Sequence, residues 1–342
     1  MTNALTWASW LLASLAILLS TRNPLLLSLI LILLLTLGTR MTEPGSRKRW
    51  LGQNLSFIGT MIFLSSLINF IFTHSGNSEL FTLPQSWFLI GGPFTLESLV
   101  YGTINGLVIS SLYLTFAILN KALSVEQLTR LIPTAFYPLT LITTISLTFF
   151  PSIQERTAQI KEAQMIRGNP MKKLSDWLPI LIPLMVTSLE NAVQLSESMT
   201  ARGFQTHTED QKSPKGLVLL ILSTFLVFSG WILSLFSYPS WTSWSLYLIA
   251  FLGIALLFIA LSRKVKIVHL HKDRWTTADI AAALLFLLIS LLMVSLIISQ
   301  KTAFLTYDPY PTLKFPSLPL TALLLGLVPG APLLFNLSHD RH

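Results

Sequence analysis

The sequence predicts an all-α, polytopic helical membrane protein with about eight transmembrane helices, on three observations. Hydrophobic residues make up 52% of the 342 positions and charged residues only 11%, where a water-facing domain carries about 25% charged. The apolar residues fall into separate runs, several of them near the ~20 residues that a spanning helix needs. Lysine and arginine gather in the loops between alternate runs, the bias that marks one side of a membrane. Mean hydropathy, +0.65, agrees.

The runs come in order. Segments 7–21 and 24–38 form a short hairpin broken at Arg22-Asn23-Pro24. Segments 54–72, 98–119, 217–237, 244–262, 277–299 and 320–337 follow. No Lys or Arg precedes Arg22 and no small-residue cleavage site is evident, so the first run is expected to be a retained helix rather than a signal peptide. Loop 39–50 carries Arg40, Arg47, Lys48 and Arg49, and loop 263–276 carries Arg263, Lys264, Lys266, Lys272 and Arg274. Between Lys121 and Lys215 lie further cations, among them Arg130, Arg156, Lys161, Arg167, Lys172, Lys173 and Arg202. With Arg341 these fall on one side, leaving only Arg22, Lys301 and Lys314 on the other. Both termini are therefore expected in the cytoplasm of a cell whose plasma membrane the chain crosses. Segment 132–150 is apolar but has cations on both flanks, is bounded by Pro133, Pro138 and Pro151, and is rich in Thr and Ser. It reads as a helix at the cytoplasmic interface.

Several function classes fall away. With no cysteine, thiolate metal sites, disulfides and cysteine nucleophiles are excluded. Ionisable groups are nearly absent from the spans, Glu97 and Asp279 standing at helix ends, which argues against ion-coupled carriers and paired-aspartate proteases. The net charge of +8 reads as loop bias, not as affinity for nucleic acid. No phosphate-binding Gly-x-x-x-x-Gly-Lys-Ser/Thr loop is present. His269-x-His271 sits in a strongly basic loop and is not expected to bind metal. Trp231, Trp241, Trp244 and Trp275 read as interface anchors.

Residues 152–215 form the only long polar stretch, with three helices expected at 152–167, 171–178 and about 184–202. On the first, Ile153, Thr157, Ile160, Gln164 and Arg167 share a face. On the third, Met185, Leu189, Ala192, Ser196 and Met199 form a stripe opposite Glu190, Gln194, Glu197 and Ala201. The first and third end alike, at Gln164-Met165-Ile166-Arg167-Gly168 and Met199-Thr200-Ala201-Arg202-Gly203. A cation before a C-terminal glycine is ordinary capping. Two such ends also present two guanidinium forks that can enter a groove on another protein.

Those residues resemble the transmembrane T component of energy-coupling factor (ECF) transporters, whose signature is a pair of Ala-Arg-Gly motifs on coupling helices. The second copy is intact at Ala201-Arg202-Gly203, with Glu197 ahead of it. The first keeps Glu162-Ala163-Gln164 and Arg167-Gly168 but has Ile166 where Ala is usual. Thr21-Arg22-Asn23-Pro24 and Thr95 to Gly102 are similar to family segments too, so that the likeness covers roughly 10–260. The resemblance implies four parts: N-terminal membrane helices (1–131), an interfacial helix with cytoplasmic coupling helices (132–215), membrane helices (216–262) and an additional C-terminal pair (263–342). It implies a non-catalytic coupling subunit with no cofactor of its own, ATP and magnesium being bound by two cytosolic ABC-type ATPase subunits. Arg167, Gly168, Ala201, Arg202 and Gly203 would touch those subunits, with Glu162, Ala163 and Glu197 in support. A substrate-binding S component beside it in the bilayer would take up a vitamin or transition-metal ion. Two rivals share part of the pattern. One is a membrane assembly or structural factor; the other is a lipid-processing enzyme using Glu190, Glu197 and Arg202, which lacks an accompanying His or metal constellation.

Overall fold

The structure, a computed structural model, describes residues 3–84, 91–131, 137–168, 177–203, 214–235, 276–299, 302 and 304–334, with 245–246, 249 and 252–253. Among the described residues it is all-α apart from one β-ribbon, and the chain divides into two compact units. The first unit is Met1–Leu128 with His271–His342; the second is Thr129–Leu270.

In the first unit, α1 (Ala4–Ser20) is the central helix, burying Trp7, Trp10, Ala13, Ser14, Ile17 and Leu18. Asn3 caps it by accepting from Leu5 N. The turn to α2 (Pro24–Arg40) repeats that device, for Asn23 accepts from Leu25 N and Pro24 takes the first helical position. The Asn23 amide also donates to Ser317 O at 2.7 Å. Helix α3 (Arg47–Phe72) packs along α4 (Leu96–Ala122) through Gly102 and Gly106, the small residues that let membrane helices approach closely. Ser65 Oγ donates to Gly102 O at 2.8 Å and Ser66 Oγ to Leu99 O at 3.1 Å across this seam. Between these helices, β1 (Glu79–Leu83) and β2 (Gly92–Thr95) pair antiparallel, with Phe81 stacked on Phe94 at 4.6 Å. Buried Glu97, in the first turn of α4, takes the amide of Ser78 at 3.0 Å and holds the ribbon's entry to the helix.

Helix α9 (Thr277–Ile298) returns along α1, and α10 (Leu320–Gly326) runs into a 3-10 helix, Val328–Leu334, against α2. Arg22, the 74–97 connection and the 305–317 segment meet at one end of the unit. Arg40, Arg47 and Lys121 sit at the other, where Lys121 Nζ donates to Thr42 Oγ1 at 2.5 Å and lies 4.4 Å from the Trp50 ring centre.

The second unit holds α6 (Tyr137–Ile166), α7 (Leu178–Ala201) and α8 (Pro214–Leu235); the short α5 (Val125–Arg130) precedes them.

Three expectations change. The separate helices at 132–150 and 152–167 are one helix, α6, with Pro151 inside it. Proline in a mid-helix removes one backbone bond, here the one to Leu147 O, and the helix continues without it. The helix expected at 184–202 begins at Leu178 and runs through Pro183. Among the described residues of the span expected at 320–337, seven are α-helical before Pro329 and Pro332 accompany a change to 3-10 winding. By length and composition α3, α4, α7 and α9 could each cross a membrane, with α1 and α2 apolar but shorter. The expected helix at 171–178 lies outside the described residues up to Asp176, and the expected span at 244–262 does so almost wholly.

Candidate functional site: two open helix ends

Each Arg-Gly motif closes a helix in the same way. After α6, Arg167 N donates to Ala163 O at 3.2 Å and Gly168 N to Met165 O at 3.0 Å. After α7, Arg202 N donates to Ser198 O at 3.2 Å and Gly203 N to Thr200 O at 3.0 Å. Gly168 has φ +83° and Gly203 φ +73°, the left-handed stop that glycine takes without a Cβ clash. Among the described residues a Cβ at either glycine would meet nothing within 4 Å.

The two helices lie antiparallel. Gln164 Nε2 approaches Pro179 O at 3.5 Å, and Arg156 Nη2 approaches Asn191 Oδ1 at 3.4 Å, so the end of α6 lies beside the start of α7. Arg167 and Arg202 therefore stand at opposite ends of the pair. Their separation is about the length of α7, roughly 36 Å for 24 residues. Glu162, Ala163, Arg167, Gly168, Glu197, Ala201, Arg202 and Gly203 are all exposed. Ile166, at the position where Ala is usual, is 83% exposed, and Met165 beside it 61%. Each end thus presents a guanidinium, an open glycine and, on α6, a bare apolar tip.

Of the expected face of α6, Thr157, Ile160 and Gln164 are half-buried, while Ile153 and Arg167 are exposed. On α7 the packed positions are Pro179, Ile180, Leu184, Thr187, Ser188, Asn191, Leu195 and Met199, with Ile180 buried outright. The expected stripe is offset from these, meeting them only at Met199. Met185, Leu189 and Ala192 instead line an apolar groove of about 540 Å3 with Ile153. The cross-helix partners Arg156 and Asn191 carried no motif, and nothing in the sequence tied them together.

Among the described residues no group of His, Cys, Asp or Glu could hold a metal ion. His269 and His271 lie outside the described residues, as do Trp241, Trp244 and Trp275.

Residues 2–214 match the family CbiQ, cobalt transport protein, a stretch that holds both helix ends. The energy-coupling factor transporter transmembrane protein EcfT of Lactococcus lactis is 30% identical, the match covering 52% of this chain and 70% of the relative. That of Bacillus selenitireducens is 26% identical, with 61% and 82% covered. That of Acidaminococcus fermentans is 36% identical over 111 residues, where the chain spans about two fifths, 41%, of the relative.

Proposed function

The chain belongs to the CbiQ family of cobalt transport proteins, and we infer from that membership that it is the non-catalytic coupling subunit of an ECF-type importer. The observation that carries this reading is the antiparallel α6–α7 pair, with Arg167-Gly168 and Arg202-Gly203 exposed at its two ends. Two like motifs about 36 Å apart suit two like subunits, one at each end. In this reading each guanidinium seats among carbonyls or a carboxylate of one cytosolic ABC-type ATPase subunit, and the glycine beside it lets the backbones come close. ATP with magnesium is bound and hydrolysed in those subunits. Closure of the ATPase pair draws on both ends of α6–α7. That movement reorients a substrate-binding S component in the plasma membrane, which releases a vitamin or transition-metal ion inward. The orientation with both termini cytoplasmic follows the cation bias, with Arg40, Arg47 and Lys121 at one end of the first unit and Arg22 at the other.

The test is co-purification and uptake. Removing one partner of a buried interfacial charge contact costs about 2–5 kcal/mol. Arg167→Glu and Arg202→Glu, each exposed in the isolated chain, are expected to insert normally while ATPase association or coupling is lost. Normal uptake by both variants would remove the basis of this reading.

A further inference from the structure

Helix α3 combines three features that its own fold does not use. Its first turn carries Arg47, Lys48 and Arg49 and no acidic residue, although the positive end of a helix dipole disfavours cations. Only Glu43 offers a carboxylate within 39–50. Arg47 is tied back to Thr42 O at 3.1 Å. Lys48 and Arg49 stand exposed, with no partner among the described residues. Directly beyond them the helix turns apolar and stays uncovered, with Leu55 at 52% and Phe63 at 68% exposed.

The third feature is glycine. Gly52 and Gly59 lie in the helix interior, where each costs about 1 kcal/mol against alanine. Gly102 and Gly106 of α4 offset that cost by letting a neighbouring backbone in. Gly52 and Gly59 admit nothing, for a Cβ on either would meet no atom within 4 Å. Lys48, Gly52, Leu55, Gly59 and Phe63 share one face at helical spacing, so below the cations the two glycines open a shallow furrow that Leu55 interrupts.

We propose that this face is a binding site for an acidic phospholipid, its headgroup phosphate held by Lys48 and Arg49 and one acyl chain laid over Gly52 and Gly59. The charge and the furrow together select this occupant. A partner helix would cover the glycines and leave the cations unmatched; a free anion would do the reverse. Trp50, pinned between Lys121 and the α2 backbone at Gly38, fixes the corner from which both cations project.

The test uses the full-length chain in detergent, titrated with phosphatidylglycerol or phosphatidylcholine of the same acyl chains and read by native mass spectrometry. Wild type is expected to retain phosphatidylglycerol preferentially. K48Q/R49Q is expected to weaken that preference about twenty-five-fold, each cation near a charged membrane surface counting for roughly fivefold. G59L is expected to lower retention of both lipids, because its side chain fills the furrow, and R22Q, at the unit's other end, to change nothing. Unaltered melting of K48Q/R49Q shows that the fold persists. Equal retention of the two lipids by wild type, or an intact preference in K48Q/R49Q, overturns the site. Displacement of the lipid by millimolar inorganic phosphate overturns it in favour of a free anion. Full lipid retention by G59L with loss of a membrane partner overturns it in favour of a helix.

Discussion

Gly106 of α4 and Ile62 of α3 approach so closely that a Cβ built on the glycine would stand 2.6 Å from Ile62 Cα. One turn earlier, Gly102 would place a Cβ 2.6 Å from Ser66 Cα. Backbone cannot yield as a flexible side chain can, so the seam admits no larger residue. Gly102→Val and Gly106→Val are expected to destabilise the first unit by about 1–3 kcal/mol or more, the usual cost of overpacking. The check is thermal melting in detergent against Gly59→Ala, which meets open space and should melt at or slightly above wild type. Equal melting of all three would show that the seam is not tightly packed.

Trp10 Nε1 donates to Pro329 O at 3.1 Å, tying the first helix to the last 3-10 turn. Both residues are buried, so Trp10→Phe takes this donor from a buried carbonyl. A loss of about 1–3 kcal/mol is expected. Limited proteolysis near 320–334 should rise in that variant, and an unchanged digestion pattern would show the bond to be dispensable.

Pro151 interrupts the backbone ladder of α6, since it has no N–H to give Leu147 O. Pro151→Ala is expected to stiffen the helix, by up to ~3 kcal/mol if the missing bond forms without strain. Amide exchange around 147–155 should slow. Faster exchange would mean that the proline is matched to its surroundings.

Tyr307 and Tyr310 lie in the connection before α10. Burial raises both phenols above their ordinary value near 10. For Tyr310 the neighbouring Tyr101, Asp308 and Glu97 act in the same direction. A raised value means that the folded state holds its proton longer. The contribution is therefore intact below pH 10 and is lost as the pH climbs through the folded value. Tyr310→Phe should flatten that alkaline loss in a melting series from pH 9 to 11. A slope identical to wild type would exclude this phenol as its source.

Much of the architecture was legible because lipid exposes the pattern directly: apolar runs, cationic loops and capping signals such as Asn23-Pro24 all act locally. What was not legible depended on competition between local rules. Pro151 and Pro183 are stop signals in water, yet α6 and α7 run through them. Pro329 and Pro332 do the opposite in an apolar run, converting an expected span into a 3-10 turn. The β-ribbon carried little alternation, because its pairing rests on Phe81 and Phe94 meeting across the connection. At the candidate site both helix ends were readable from Arg and Gly alone. Their opposed placement was not, since it follows from α6 and α7 lying antiparallel.

Although Pro151 removes one rung of its ladder, α6 remains a single helix, and that has a mechanical consequence. Thirty residues make a rod of about 45 Å, apolar and hydroxyl-rich in one half and charged in the other. Pivoted at its far tip, such a rod swings Arg167 by roughly 8 Å for each 10° of tilt. Two short helices joined at a hinge would absorb the same rotation in the joint. Angular change at one extremity is thereby amplified into travel at the other.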